Sequence, residues 1–441
     1  MSKKLYFLIF IVGILAVLAM LVFSIPQIYD RVSFRVDELT TKIKYAIQPP
    51  QKVVFNPGNV TESAIIAVPT ISVTSTQAHV VSSATLASII PTLEATPTLI
   101  PLPSSTPTKS PLPPEVTIQG GKYVDQHGLL NYCAPANLAV LLSYWGWKGD
   151  RIDIGKVVKP YNKDKNVMPY ELADYVKNNT DLNSIIRVGG DMDTIKQFVA
   201  AGFPVLIEKG YFVVDIYKVY SWMGHYNVIT GYNDAEGYFL VQDTYLQPNM
   251  KIPYDEIVNQ WRDFNFTYMV AFSSDRYNDV MKILGPDADE QTNYQRAADK
   301  ASNEIVKFKN DPVEDFFAWF NRGDNLAELQ DYGNAANCYD EAWKIYPTIS
   351  EDTRPWRVIW YRTGIYKAYF GAGRYQAVVD LATTTLNQMS EPYIEESYYW
   401  RARGEWELGR KQEATADFHQ SLVLHKDFGP TLYQMELLGI K

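Results

Sequence analysis

Residues 131–145 read NYCAPANLAVLLSYW, and residues 224–232, about 90 positions further on, read GHYNVITGY. In the first stretch Asn137–Trp145 is an apolar run of helix length that stops at Gly146. Pro135 suits its first turn, where the missing N–H would have had no partner. The second stretch is short, rich in β-branched and aromatic residues and bounded by glycines, which predicts a strand. Working outward, Pro169–Val176 is amphipathic and opens on a proline, and Asp191 can cap a helix over Met192–Ala201 that ends at Gly202. Strand-length runs then follow at Phe203–Glu208, Tyr226–Gly231, Tyr238–Gln242 and Phe266–Phe272, with Asn233–Gly237 as a hairpin turn. Helices first and a mostly antiparallel sheet afterwards predict an α+β domain over residues 116–276.

Two places in this domain bear chemistry. Cys133 stands at the head of the first helix, where the dipole and the unpaired N–H groups favour the thiolate, the nucleophilic form. His225 is expected at the start of its strand, and the next strand runs out at Asp243. If the hairpin closes as read, His225 and Asp243 share one end of neighbouring strands, so that Asp243 can fix the imidazole's tautomer. Singly, each residue has an ordinary reading: a buried cysteine, a structural histidine, a capping aspartate. Their combination, in this order on these elements, points to a nucleophile, a base and an orienting acid. The aromatic segment Tyr211–Trp222 before His225 reads either as a wall of the groove or as core and loop packing.

The Cys133-Ala134-Pro135-Ala136 helix start, the Gly224-His225-Tyr226 strand and the Asp243-Thr244-Tyr245 turn resemble the bacteriocin-processing cysteine peptidases, in the C39-like branch that lacks a transporter. The resemblance spans roughly Tyr123–Phe272. It implies a papain-like fold, Cys133 as nucleophile, His225 as general base and acid, and Asp243 as its orienter. It also implies a glutamine before the cysteine as an oxyanion donor. Gln126 holds that place, with Asn131 as a substitute. Relatives carry Gly after the cysteine, whereas this chain has Ala134, whose methyl is expected to face an approaching substrate. No metal or organic cofactor is implied. Relatives fused to transporters cut leader peptides after Gly-Gly, but this chain shows no nucleotide-binding loop. A non-catalytic adaptor and an acyl transferase are the alternatives, told apart by whether nothing, an amine or water captures the thioester.

Beyond a polar connector (277–310, helical around Gln295–Phe308), Trp319-Phe320-Asn321-Arg322-Gly323, Trp360-Tyr361-Arg362-Thr363-Gly364 and Trp400-Arg401-Ala402-Arg403-Gly404 recur at about 40-residue spacing. The small residues where helices would cross, and the aromatics between them, are similar to tetratricopeptide repeats, which implies an all-α stack over 311–441 and a surface for a protein partner. Cys338 falls inside a repeat helix as a packing residue.

At the other end, Leu5–Ser24 is uncharged and apolar. About 20 residues at 1.5 Å rise cross a hydrocarbon core of roughly 30 Å. Lys3 and Lys4 precede it, which favours a cytoplasmic N-terminus, although Arg31, Arg35, Lys42 and Lys44 follow. A retained anchor over residues 1–25 is expected, with a cleaved signal peptide as the rival. Residues 26–115 form a juxtamembrane segment and a Pro/Thr/Ser-rich tether. The expectation is a single-pass protein of a bacterial cell membrane whose folded domains lie outside the cytoplasm. A formal charge of -9 over 441 residues supplies no basic face for phosphates, so nucleic acid is not an expected partner. Two cysteines make neither a disulfide framework nor a multi-cysteine zinc site. The expected partners are a peptide or protein substrate and a protein on the repeats.

Overall fold

The computed structural model of the chain describes residues 111–161, 163–214 and 220–441, together with scattered positions between 13 and 55. The expected anchor, apart from Gly13 and Ile14, and nearly all of the tether lie outside the described residues. Among the described residues no helix is long and apolar enough to cross a membrane.

In chain order the first part runs β1 (Glu115–Thr117), α1 (Cys133–Ser143), α2 (Arg151–Val158), α3 (Pro169–Asn179), β2 (Asn183–Arg187), α4 (Met192–Ala200), β3 (Val205–Val214), β4 (Tyr220–Asn233), β5 (Tyr238–Gln242), β6 (Met250–Pro253), α5 (Tyr254–Arg262) and β7 (Tyr268–Phe272). Local chemistry sets the helix starts. Asp150 and Asp153 form a capping box at α2, with Asp150 Oδ1 accepting from the Ile152 amide at 2.7 Å. Pro169 opens α3, where Glu171 Oε2 accepts from the Met168 amide at 2.7 Å. Asp191 caps α4 through the Thr194 amide, also at 2.7 Å.

The strands pair antiparallel in the order β2-β7-β3-β4-β5-β6, and β1 joins β4 beyond the reach of β3. Alternation along each strand sends neighbouring side chains to opposite faces. Leu206, Tyr226, Val228, Met269 and Ala271 pack under α1 and α3. Val205, Ile207, Ile229, Val270 and Phe272 pack under α4 and α5. Helix α1 needs no amphipathic pattern, because Ala134–Leu142 are buried throughout.

Two strands are longer than their apolar runs indicate. β3 and β4 stay in register from Val205 opposite Ile229 to Val214 opposite Tyr220. His225 therefore lies inside β4, not at its start. The added halves mix polar and aromatic residues because the surface that covers them comes from the C-terminal part of the chain.

That part begins with α6 (Tyr277–Leu284) and α7 (Glu290–Phe308), the connector helix, and continues with the hairpins α8 (Pro312–Glu328) and α9 (Tyr332–Ile345). A one-turn α10 (Val358–Tyr361) precedes α11 (Gly364–Gly371) and α12 (Tyr375–Asn387), then α13 (Glu395–Glu407), α14 (Lys411–Leu424) and α15 (Gly429–Leu438). Gly323 is the contact point of the first hairpin: a Cβ there would sit 2.9 Å from the Tyr339 ring. Cys338 is buried in α9, and burial pushes its thiol up to about 11.

The helical part does not stand apart from the sheet. Trp222 and Phe264 share one apolar cluster with Phe316, Phe317, Phe320 and Tyr339, and Trp222 stacks on Phe264 with ring centroids 5.5 Å apart. Buried amides fix the register. Asn265 and Asn325 exchange hydrogen bonds of 2.7 and 3.1 Å, and Asn321 Nδ2 donates to the Arg262 carbonyl at 2.9 Å. Asn265 and Phe266 adopt left-handed backbone (φ 53° and 52°), so the loop after α5 can present Asn265 to α8.

Candidate active site

Asn131 (φ 52°) turns the chain into α1, and Cys133 occupies the first helical position with its side chain at a cleft. The amides of that first turn have no partner within the helix. Across the cleft, His225 projects from β4, 3% exposed. Its Nε2 lies 3.0 Å from Oδ1 of Asp243, which follows β5. That leaves Nδ1 for Cys133, whose sulfur lines the same cleft and is close enough to act on the imidazole's charge. The structure therefore brings Cys133, His225 and Asp243 together from a helix start, a strand interior and a strand end.

The environment polarises the pair. Burial opposes a charge on His225, but the Asp243 carboxylate and the Cys133 sulfur outweigh it and raise the imidazole to about 9. Burial likewise opposes the Asp243 charge. His225, Lys209 and Asn227 overcome it and hold the carboxyl well below the usual range. Asp243 Oδ1 also accepts from the amides of Tyr245 (2.9 Å) and Leu246 (3.1 Å), so the turn after β5 sets its position. The Tyr211 ring centroid is 5.4 Å from that of His225, and Tyr361 lies over Gly224, where a Cβ would come within 2.8 Å of its ring.

Gln126 lines the same cleft as Cys133 and His225. Its backbone N–H donates to the Thr244 carbonyl at 3.0 Å, and Thr244 Oγ1 donates to its Oε1 at 2.7 Å. Asn137 Nδ2 in turn donates to Thr244 Oγ1 (2.8 Å) and to the Cys133 carbonyl (2.9 Å). With Oε1 so occupied, Nε2 is the donor that Gln126 can offer the cleft. Asn131, the substitute, has its amide engaged by the Asp164 carbonyl at 2.9 Å. The Ala134 methyl differs from expectation. It is buried among Leu138, Leu141 and the sheet, not at the cleft, because the helical turn directs it 100° away from Cys133.

The segment expected as either wall or core is both. Tyr211 and Val213 line the cleft, while Phe212 and Trp222 pack into the helical part, as period-2 alternation requires. The sequence reading misses Thr244 and Asn137 as supports for Gln126; a lone Asn inside the apolar run 137–145 was the available signal. It also misses the part of the cleft lining supplied by Lys165, Arg357, Trp360 and Tyr361. Trp360 and Tyr361 belong to what reads as a repeat signature, but in the fold they sit on the one-turn α10 and face this site. Away from the cleft, Glu171, Glu395 and His425 have donor atoms within 4.8 Å of one another, the group among the described residues closest to a metal-ligand set. His425 Nδ1 lies 3.0 Å from Glu395 Oε1, at hydrogen-bond distance, so members of the cluster already partner one another.

Residues 118–269, about a third of the chain, match the family model described as the Peptidase_C39 like family. The matched stretch contains Gln126, Cys133, His225 and Asp243 and points to a cysteine peptidase. It ends within β7, ahead of the helix hairpins. A candidate C39-like peptidase from Bacillus anthracis, known from its crystal structure, is similar at 15% sequence identity over 36% of this chain and 98% of that one, with a TM-score of 0.30. No curated protein matches the chain.

Proposed function

We propose that this chain is a cysteine peptidase anchored to the membrane by its N-terminal apolar run, with its folded part outside the cytoplasm and a peptide or protein as substrate. The observation that carries the reading is the convergence of Cys133, His225 and Asp243 on one cleft that also holds Gln126. His225 takes the Cys133 proton through Nδ1, and the resulting thiolate attacks the scissile carbonyl. The Cys133 amide and Gln126 Nε2 receive the developing oxyanion, each worth roughly 3–4 kcal/mol. His225 returns the proton to the leaving amine, and water then cleaves the thioester. Asp243 holds the imidazole throughout.

The helix hairpins are read as tetratricopeptide-like repeats that position the substrate or a protein partner. Glycines at helix crossings support this, since a Cβ on Gly323 would meet the Tyr339 ring and one on Gly404 would come within 2.9 Å of Val379. The adaptor alternative loses support from the buried Ala134 methyl and from Gln126 lying in the cleft.

The test uses the full chain in detergent under reducing conditions, incubated with a diverse peptide library whose new termini are mapped by mass spectrometry. Cleavage by the native protein that disappears in Cys133→Ala is the expected result. Absence of new termini, combined with alkylation of Cys133 no faster than that of a free thiol, would sink the reading.

A further inference from the structure

The whole chain is acidic, with a formal charge of -9, yet the cleft beside Cys133 is lined by two cations, Lys165 and Arg357, and by no carboxylate among the described residues. The cations come from different parts of the fold, Lys165 from the loop before α3 and Arg357 from the turn before α10. Arg357 is 2% exposed. Its guanidinium lies 4.3 Å from the Trp356 ring centroid and 5.3 Å from that of Trp360, and it donates to Ser221 Oγ on β4. Lys165 Nζ makes no hydrogen bond or ion pair among the described residues, and the Tyr393 ring centroid lies 5.8 Å from it. The carboxylates around it have other engagements: Glu391 pairs with Lys163 at 3.5 Å, and Asp164 faces Lys159. Burial and the neighbouring cations lower Lys165 to about 8, with Lys159 and Arg357 both contributing, while Glu391 and Asp164 recover only part of the loss.

Two like charges lining one cleft repel each other, and Lys165 Nζ has no carboxylate contact or hydrogen bond among the described residues to replace its lost hydration. An anion between them removes both penalties, and the gain is larger than in water because the surroundings are poorly polarisable. Aromatic side chains at Trp360 and Tyr361 complete this part of the lining, so the partner suited to it is a planar carboxylate on an otherwise apolar or aromatic peptide.

We propose that Lys165 and Arg357 form a carboxylate-binding subsite next to the Cys133 sulfur, so that the substrate is a peptide carrying an acidic side chain or its own C-terminal carboxylate near the scissile bond. The inference rests on the peptidase reading for its word "scissile"; the binding claim is separable from it. The helical part, through Arg357, Trp360 and Tyr361, then supplies specificity that the sheet part lacks.

The experiment measures affinity without requiring turnover. Fluorescein-labelled hexapeptides of Ala, Ser and Tyr are titrated into the full-length Cys133→Ala protein in three matched forms: one internal Glu with an amidated C-terminus, Gln in its place with a free C-terminus, and Gln with an amidated C-terminus. The internal-Glu or the free-carboxylate peptide is expected to bind about tenfold or more tighter than the neutral one, and which of the two does so identifies the source of the carboxylate. Adding Lys165→Gln should collapse that ratio toward one, and Arg357→Lys, which keeps the charge without the planar fork, should reduce it in part. Equal binding of all three peptides, binding of none, or a ratio unchanged by Lys165→Gln overturns the subsite. The same peptides given to the native enzyme separate the two claims. Cleavage without charge preference overturns the subsite and leaves the peptidase reading standing, whereas charge-selective binding without cleavage supports the subsite and counts against the peptidase.

Discussion

Asp243 shows how much one side chain depends on its neighbours. A single oxygen accepts from an imidazole and two backbone amides, and the Tyr123 hydroxyl donates to its main-chain carbonyl at 3.0 Å. Asp243→Asn would preserve size and reverse polarity at His225 Nε2, so the ring would present the wrong tautomer to Cys133. We expect kcat to fall by about 10²–10⁴-fold with the fold intact. Because His225 is raised to about 9 mainly through the Asp243 charge, activity of the native protein should decline above about pH 9 as His225 loses its proton. In the variant that limb should move to lower pH. A pH–rate profile with an unmoved limb would remove Asp243 from the mechanism. Ala134 gives the opposite kind of test. Its methyl is buried in the core, so Ala134→Gly should leave turnover unchanged and lower stability by about 0.5–1 kcal/mol, as glycine does near a helix start. A marked gain in turnover would mean that the methyl does meet the substrate. Cys133, His225 and Asp243 were legible because each stands at a punctuated place: a proline, a glycine and a turn. Gln126 lies in a loop without period, and only the family resemblance pointed to it.

Elements were legible where one neighbour covers one face. Tyr238–Gln242 was read to the residue, and the caps of α3 and α4 announced their starts. β3 and β4 were read too short. Their far halves bury Phe212 and Trp222 against helices that lie about ninety residues or more later, while Tyr211 and Val213 face the cleft. Such a strand has no continuous apolar run to find. The hairpin glycines are stricter. Gly323→Val would force a branched side chain into the Tyr339 ring, whose hydroxyl is already tied to Asp324. Overpacking of this kind costs about 1–3 kcal/mol, and urea denaturation should show a lower midpoint with an unchanged slope. An unaltered midpoint would mean that α8 and α9 do not cross there.

At the scale of the molecule, the contact between α3 and the C-terminal hairpins is an unusual concentration of buried acid. Asp164, Glu171 and Glu396 are each raised well above the ordinary carboxyl range, first by burial and then by Glu395 nearby. A carboxyl whose folded pKa exceeds its unfolded one binds more protons in the folded state. Its contribution to stability is complete below about pH 4 and is lost as pH rises through the folded value. His225, raised from 6.5 to about 9, acts in the same direction across that higher window. Lys159, lowered by burial to about 8, opposes the trend only above that pH. The melting temperature of the full chain should therefore fall between about pH 5 and about pH 8, and Glu396→Gln should flatten the slope. A melting temperature that rises over that range would contradict this balance of charges.

Taken alone, the sequence determined the α+β class of residues 116–276 and the helical character of residues 277–441, and it singled out Cys133, His225 and Asp243, which the structure brings together. It did not indicate β1, α2, β2, β6 or α5. What it determined rests on local rules: hydrophobic period, caps, turns and the residue types that nucleophilic chemistry demands. Only the tertiary structure decided which surfaces meet. It extended the sheet beneath the helical part, turned the Ala134 methyl into the core, tied Gln126 to Thr244, and brought Lys165 and Arg357 into the lining of the cleft that holds His225. Such pairings depend on packing between segments far apart in the chain, where no local period carries the information and one buried contact excludes another.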